Sequence, residues 1–212
     1  CFHARQMEQS GAAFGAEMGK YIKDNFGGEE GFQLQTIVID PGHGGKDPGA
    51  SGRFTKEKNL ALGIAKSLGL MLRETYPQLN ILFTRNDDTF IPLYERAGIA
   101  NKNKADLFLS IHCNYMPNAS HVRGTETYVM GVHTAEYNLR VAKRENASIL
   151  LEDDYRENYG GYDPNSPEGH IILSMFQNTF LEQSILFADK VENHFGNAGK
   201  RNSRGVKQAG FA

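Results

Sequence analysis

The sequence has few of the features that mark disulfide-rich, membrane-spanning or nucleic-acid-binding proteins. Its 212 residues include only two cysteines, Cys1 and Cys113, which excludes a disulfide framework. No apolar run reaches 18 residues, so we expect no transmembrane segment. The formal net charge of −2 creates no overall field that would attract nucleic acid, and no such partner is expected. With 40% hydrophobic residues, the chain is long enough for one globular domain with its own core.

Two common catalytic motifs are also absent. Gly44-Gly45-Lys46 follows an apolar run, as in a phosphate-binding loop, but Asp47 stands where that loop requires Ser or Thr. No Gly-x-Ser-x-Gly sequence occurs, so a serine nucleophile elbow finds no support. Nucleotide hydrolysis and serine hydrolysis are therefore not indicated.

Two apolar runs each end in a histidine. Residues 36–39 are β-branched and apolar, and Asp40-Pro41-Gly42 then leads to His43 among glycines. Residues 107–111 form a second apolar run, which ends directly at His112. Both runs are typical of buried strands, and ligands bind at the carboxyl edge of open α/β sheets. Two imidazoles at one sheet edge favour a divalent metal site.

A third ligand would have to come from the same edge. Catalytic zinc sites often use two histidines and one glutamate and leave one position for water. Glu57 lies in the first turn of the predicted helix that follows the first strand. It is equally well explained as a carboxylate that the helix dipole favours, and the residues alone leave both interpretations open. Asp40 is the candidate outer partner that holds an imidazole tautomer, whereas Asp47 is interpreted as a turn residue.

Strand and helix patterns alternate along the chain. This predicts an α/β single domain with a mixed, mostly parallel central sheet flanked by helices, and a helical or loop insertion. A helix from near Thr55 should bury the stripe Leu60, Ile64, Leu68 and Leu72. The remaining predicted elements are strands at 79–83 and 124–130, helices at 92–103 (with Leu93, Ala97 and Ala100 inward), 134–151 and 171–195, and a strand beginning at 205.

Five segments, in order, resemble the zinc-dependent N-acetylmuramoyl-L-alanine amidases of the amidase_3 family, which are cell-wall hydrolases. The resemblance covers about residues 35–212. The matching segments are Val38 to Ala50, Glu57 to Leu62, Thr84-Arg85 with Leu93 to Arg96 and Ala100-Asn101, Ala105 to Asn114, and Gly124 to Tyr128.

The resemblance implies a zinc hydrolase that cuts the amide between N-acetylmuramic acid and the L-alanine of peptidoglycan. By motif match, His43, Glu57 and His112 are its zinc ligands. It further implies an autolysin of the periplasm or cell envelope, exported, and active in wall remodelling, daughter-cell separation and cell division. Residues 33–212 would form the catalytic domain and residues 1–32 an N-terminal helical leader. Cys1 is either the lipid anchor of a processed lipoprotein or an arbitrary start of the sequence.

The family's general-base glutamate has no counterpart in this sequence. By motif match it would lie beyond Ala212, together with a last strand and a closing helix. Loss of a general base typically costs about 10²–10⁴-fold in rate. We therefore expect these residues by themselves to bind zinc and to hydrolyse slowly.

The acidic, glycine-rich part of the chain resembles a regulatory insert of some family members. Residues of about 146–170 would cover the zinc cleft until a protein activator displaces them, with Glu152 or Glu157 as an inhibitory ligand of the metal. A solvated acidic loop is the alternative interpretation.

Two other function classes remain open. One is a different metal-dependent hydrolase, such as a deacetylase of wall sugars, and the other is a non-catalytic peptidoglycan-binding module. The basic residues Lys200, Arg201, Arg204 and Lys207 are interpreted as solvated surface, with contact to anionic wall polymer as the alternative.

Overall fold

The structure, a computed structural model, describes residues 34–52, 54–114, 122–131, 136–153, 155–159, 180–197 and 201–211. The predicted N-terminal leader lies outside these residues, as do residues 154 and 160–170 of the predicted insertion, so both stay predictions. The chain divides into two compact units, Cys1–Ile91 with Glu95–Tyr115, and Pro92–Tyr94 with Met116–Ala212.

The first unit is built on a three-stranded parallel sheet. Its strands are β1 (Thr36–Pro41), β2 (Asn80–Phe83) and β3 (Leu107–Ile111), in the order β2-β1-β3. Ile37, Val38 and Ile39 of the central strand are completely buried, as expected for a β-branched run covered on both faces. Strand β3 is less buried than its apolar run suggests, because it has one neighbouring strand among the described residues and Phe108 remains 41% exposed.

Helix α1 (Glu57–Thr75) follows β1 and packs on the sheet. Leu68 and Leu72 of the predicted stripe are buried, whereas Leu60 is exposed and Ala61 and Ala65 complete the buried face. The small alanines bring the helix backbone close to the strands. At Gly69 the approach is closest, since a Cβ there would lie 2.2 Å from Cζ of Phe83.

Helix α2 (Leu93–Lys102) connects β2 to β3. The prediction that Ala97 points inward is wrong: Ala97 is exposed and the neighbouring Arg96 is buried. A hydrophobicity pattern assigns arginine to solvent, but here the guanidinium has buried acceptors on the loop after β1, including Pro41 O and His43 O.

The second unit pairs two parallel strands. These are β4 (Thr125–Met130) and β5 (Ser203–Ala209), and helix α5 (Leu181–Asn197) packs on both. Between them lie α3 (Glu136–Asn146), a 3-10 turn (Ala147–Leu151) and the short α4 (Tyr155–Asn158).

Two carboxylates tie this second unit together. Glu192 of α5 accepts hydrogen bonds from the hydroxyls of Thr127 and Ser203, one from each strand. Glu126 accepts bonds from Arg204 and from Lys207 Nζ, the latter at 2.6 Å. The interpretation of Arg204 and Lys207 as solvated surface is therefore wrong, because both cations pair with a carboxylate whose side chain is almost fully buried.

The Glu126 cluster makes the stability of this unit dependent on pH. Burial by itself would raise the pKa of Glu126, but its bonds with Lys207 and Arg204 outweigh this and hold the pKa below the ordinary 4.5. The unfolded chain therefore binds the proton more readily than the folded chain. We expect the free energy of unfolding to be highest above about pH 4.5 and to fall as the pH decreases further. Urea unfolding from about pH 7 to about pH 3 tests this, and Glu126→Gln should lack that part of the dependence.

The predicted α/β class with a mostly parallel sheet and flanking helices is confirmed. Among the described helices, none combines the length and apolar character that crossing a bilayer requires.

Candidate metal centre

Three side chains that are distant in the sequence meet at the carboxyl edge of the first sheet. His43 follows β1, His112 follows β3, and Glu57 is the first residue of α1. His43 Nε2 lies 3.1 Å from Glu57 Oε1 and 3.1 Å from His112 Nδ1. Glu57 Oε1 lies 3.2 Å from His112 Nδ1. The three atoms form a nearly equilateral triangle.

The loop after β1 aims the first imidazole. His43 has the left-handed φ of 60°, which is uncommon outside glycine and costs about 1–2 kcal/mol. Gly44 and Asp47 exchange two backbone hydrogen bonds of 3.0 Å, which folds the loop back on itself. The fold places Asp47 Oδ2 2.8 Å from His43 Nδ1. With the proton on Nδ1, Nε2 presents its lone pair to the triangle.

Glu57 is fixed through both carboxylate oxygens. Oε1 accepts the backbone N–H of Cys113 at 2.7 Å, and Oε2 accepts that of Ala50 at 2.9 Å. Burial by itself would raise the pKa of Glu57, but bonds with His112 and His43 hold it far below its ordinary range. The carboxylate is ionised and its side chain is only 1% exposed.

The three ligands differ in how much of each side chain is exposed. The His112 side chain is 28% exposed, compared with 8% for His43. Two glycines keep the ligands close: a Cβ at Gly42 would lie 2.4 Å from the His112 ring, and one at Gly49 would lie 2.5 Å from His43 Cδ2. Glu57 is therefore the most buried of the three ligands and His112 the most exposed.

The donor set fits a zinc ion. Tetrahedral zinc with ligand bonds of about 2.0–2.1 Å places neighbouring ligand atoms roughly 3.3 Å apart. The observed separations of 3.1–3.2 Å match one face of that tetrahedron. Two imidazoles and one carboxylate are also a known ligand set of catalytic zinc, which leaves the fourth position for water.

Asp40 binds three other side chains, and its role as the outer partner of an imidazole stays a prediction. Its carboxylate accepts bonds from Thr84 Oγ1 (2.6 Å), Arg96 Nη1 (2.7 Å) and Ser110 Oγ (2.6 Å). As a residue of β1, it binds side chains on or next to both neighbouring strands, whereas Asp47 in the loop after β1 binds His43. Burial would raise the pKa of Asp40, but Arg96 and the two hydroxyls hold it below its usual value.

The other predicted site residues lie elsewhere. Glu152 is buried in the second unit, where its Oε1 accepts the N–H of Leu93 at 2.7 Å and the hydroxyl of Tyr159 at 3.1 Å. Glu157 is exposed on α4. Their role as inhibitory ligands stays a prediction.

Sequence reasoning missed three residues beside the triangle. Asp47 was assigned to a turn, and nothing in the local pattern shows that it reaches back to His43. Arg85 and Arg96 are 4% exposed each, and both donate to backbone carbonyls of residues 41–43. An arginine outside any apolar stripe gives no sign in the sequence that it is buried. Arg85 and Arg96 both lie within the five matching segments described above, and that position was a usable signal.

Comparison with known proteins gives a consistent result. The family model described as N-acetylmuramoyl-L-alanine amidase matches residues 37–212. The protein named N-acetylmuramoyl-L-alanine amidase AmiC of Escherichia coli O6:H1 is 36% identical over 183 residues, covering 83% of this chain and 41% of that protein. The protein named AmiA of E. coli K12 is 32% identical over 182 residues, covering 84% and 60%.

Solved structures are also similar in sequence. The amidase AmiC2 of Nostoc punctiforme is 36% identical, with a TM-score of 0.43 and coverage of 57% of this chain and 63% of that one. The chain spans less than two thirds of the length of each of these three relatives.

Proposed function

Because the chain belongs to the N-acetylmuramoyl-L-alanine amidase family, we propose that it hydrolyses the amide between N-acetylmuramic acid and L-alanine in peptidoglycan. The single observation that supports this most directly is the triangle of His43, Glu57 and His112, whose donor atoms lie 3.1–3.2 Å apart. These residues would hold a zinc ion.

Each ligand has a defined part in this proposal. Glu57 supplies the negative charge that a divalent ion needs, and two backbone N–H groups prevent its rotation. Asp47 holds the proton on Nδ1 of His43, which keeps Nε2 free for the metal. His112 is the most exposed of the three ligands, and an amide carbonyl could approach beside it. A bound zinc supplies Lewis-acid polarisation of that carbonyl and a water of lowered pKa.

The first experiment measures product and metal dependence together. We expect purified protein with zinc to release free peptide stems from peptidoglycan, and treatment with a chelator to abolish release until zinc is added back. Stems without acetate support the amidase. Acetate without stems would identify a deacetylase instead. Binding to peptidoglycan without any product would favour a wall-binding module.

The rate of amide hydrolysis tests the proposed general base. The proposal includes a glutamate beyond Ala212 that takes a proton from the attacking water in the whole protein. These 212 residues alone should then hydrolyse roughly 10²–10⁴-fold more slowly than a longer form that includes that residue. Equal rates for the two forms would refute this part.

We further propose that the insertion of about residues 146–170 regulates the site, that a protein activator displaces it, and that the protein acts in the cell envelope during cell separation. The core of the second unit limits how this is tested, because Asn146 and Ile149 are buried there and Asn146 binds Gly210 O. A deletion should therefore start after Glu152. We expect that deletion to raise the hydrolysis rate. An unchanged rate both in the deletion and in a Glu152→Gln variant would contradict the regulatory role.

A further inference from the structure

The carbonyls that flank His43 need donors that the sheet does not provide. The pairing of β1 with β3 ends at Pro41 and Gly42, where Gly42 N–H donates to Ile111 O at 3.0 Å. The carbonyls of Pro41, Gly42 and His43 accept bonds from side chains. Buried carbonyls are almost always paired. In this loop, two arginines bind all three.

The bonds are distributed in a regular way. Arg85 donates from Nε to Pro41 O at 2.9 Å and from Nη2 to Gly42 O at 2.7 Å. Arg96 donates from Nη1 to Pro41 O at 3.0 Å and from Nη2 to His43 O at 2.8 Å. Each guanidinium thus bridges two of these three carbonyls, with the planar fork that arginine has and lysine lacks.

These bonds fix both backbone dihedral angles of His43. Rotation about φ turns the peptide plane that carries Gly42 O, and rotation about ψ turns the plane that carries His43 O. Arg85 holds the first plane and Arg96 holds the second. Between them, His43 is kept at φ 60°, a conformation that a histidine adopts at a cost.

We propose that Arg85 and Arg96 are positioning residues that hold the His43 backbone in the left-handed conformation and so aim Nε2 at the metal site. This inference rests on the metal site of the proposed function. Both arginines bind backbone carbonyls at and beside His43, so the effect passes through the backbone. The Asp47 contact orients the ring, and the arginine pair orients the residue.

The test compares zinc affinity, measured by chelator competition, with stability, measured by urea unfolding of the metal-free protein. Arg85→Lys and Arg96→Lys keep the charge but lose the fork. Two controls are matched to them. Arg73→Lys removes a guanidinium bond to Ile81 O that lies away from the triangle. Thr84→Val weakens the buried Asp40 cluster and leaves the carbonyls of residues 41–43 bound.

We expect each arginine variant to bind zinc about 10–100-fold more weakly than the wild type, the range typical of outer partners of metal ligands. The visible spectrum of bound Co²⁺ should change as well. Both controls should keep the wild-type affinity, although Thr84→Val loses stability.

Two results would overturn the positioning role. One is an arginine variant that is folded and binds zinc as tightly as Thr84→Val. The other is failure of both arginine variants to fold without metal, which would show that the arginines serve the fold. Failure of the proposed function looks different: the expected affinity pattern with no peptide released leaves the positioning role standing, whereas a wild type that binds no zinc removes the metal site and this inference together.

Discussion

Replacement of Glu57 by glutamine should abolish tight zinc binding and, with it, peptide release. The glutamine keeps the size of the side chain and loses its charge. It also offers one acceptor where two backbone donors, Cys113 N–H and Ala50 N–H, now each bind a carboxylate oxygen. One of these two backbone N–H groups would then face the side-chain NH₂ group of the glutamine instead of an acceptor. We expect zinc affinity to fall by more than about 100-fold, because outer partners alone account for about 10–100-fold.

The same helix offers the matched control for this change. Glu74 lies in the last turn of α1 and is exposed, so Glu74→Gln alters the net charge equally without touching the triangle. It should leave zinc affinity and activity unchanged. The zinc affinity of both variants is measured by chelator competition. If Glu57→Gln bound zinc as tightly as Glu74→Gln, the assignment of Glu57 as a ligand would be wrong.

Gly49→Ala should disturb two ligands with one methyl group. Gly49 has a φ of 62°, and a Cβ there would lie 2.5 Å from His43 Cδ2 and 2.8 Å from Glu57 Cβ. Both neighbours must move apart. We expect a loss of about 1–3 kcal/mol in the free energy of unfolding from overpacking, and at least a roughly 10-fold loss of zinc affinity, because the triangle opens.

A second glycine separates this effect from that of glycine replacement in general. Gly63 lies within α1, and a Cβ there meets no atom within 4 Å. Gly63→Ala should stabilise the helix by about 0.5–1 kcal/mol and leave zinc affinity unchanged. Urea unfolding and chelator competition measure both quantities. An unaltered zinc affinity in Gly49→Ala would show that the close packing around the triangle is not needed to hold the metal.

The first sheet was largely predictable because its signals are local. A β-branched run that stops at Asp40-Pro41-Gly42 predicts a buried strand and its end, and the observed strand ends within one residue of that point. Residues that follow the ends of parallel strands can be inferred to share one edge of the sheet. On this basis His43 and His112 were predicted to lie close together. The buried face of α1 was less predictable, since Ala61 and Ala65 carry little hydrophobic signal although they pack directly on the sheet.

The sequence by itself determined the α/β class, the family and the three residues that meet at the sheet edge, because strand ends and short motifs are properties of neighbouring residues. The tertiary structure decided which carboxylate holds His43 and which side chains hold the loop. Asp47, Arg85 and Arg96 act on His43 through a left-handed turn and through bonds between residues up to 55 positions apart. Such contacts depend on the path of the chain in space, which no local pattern of residue types contains.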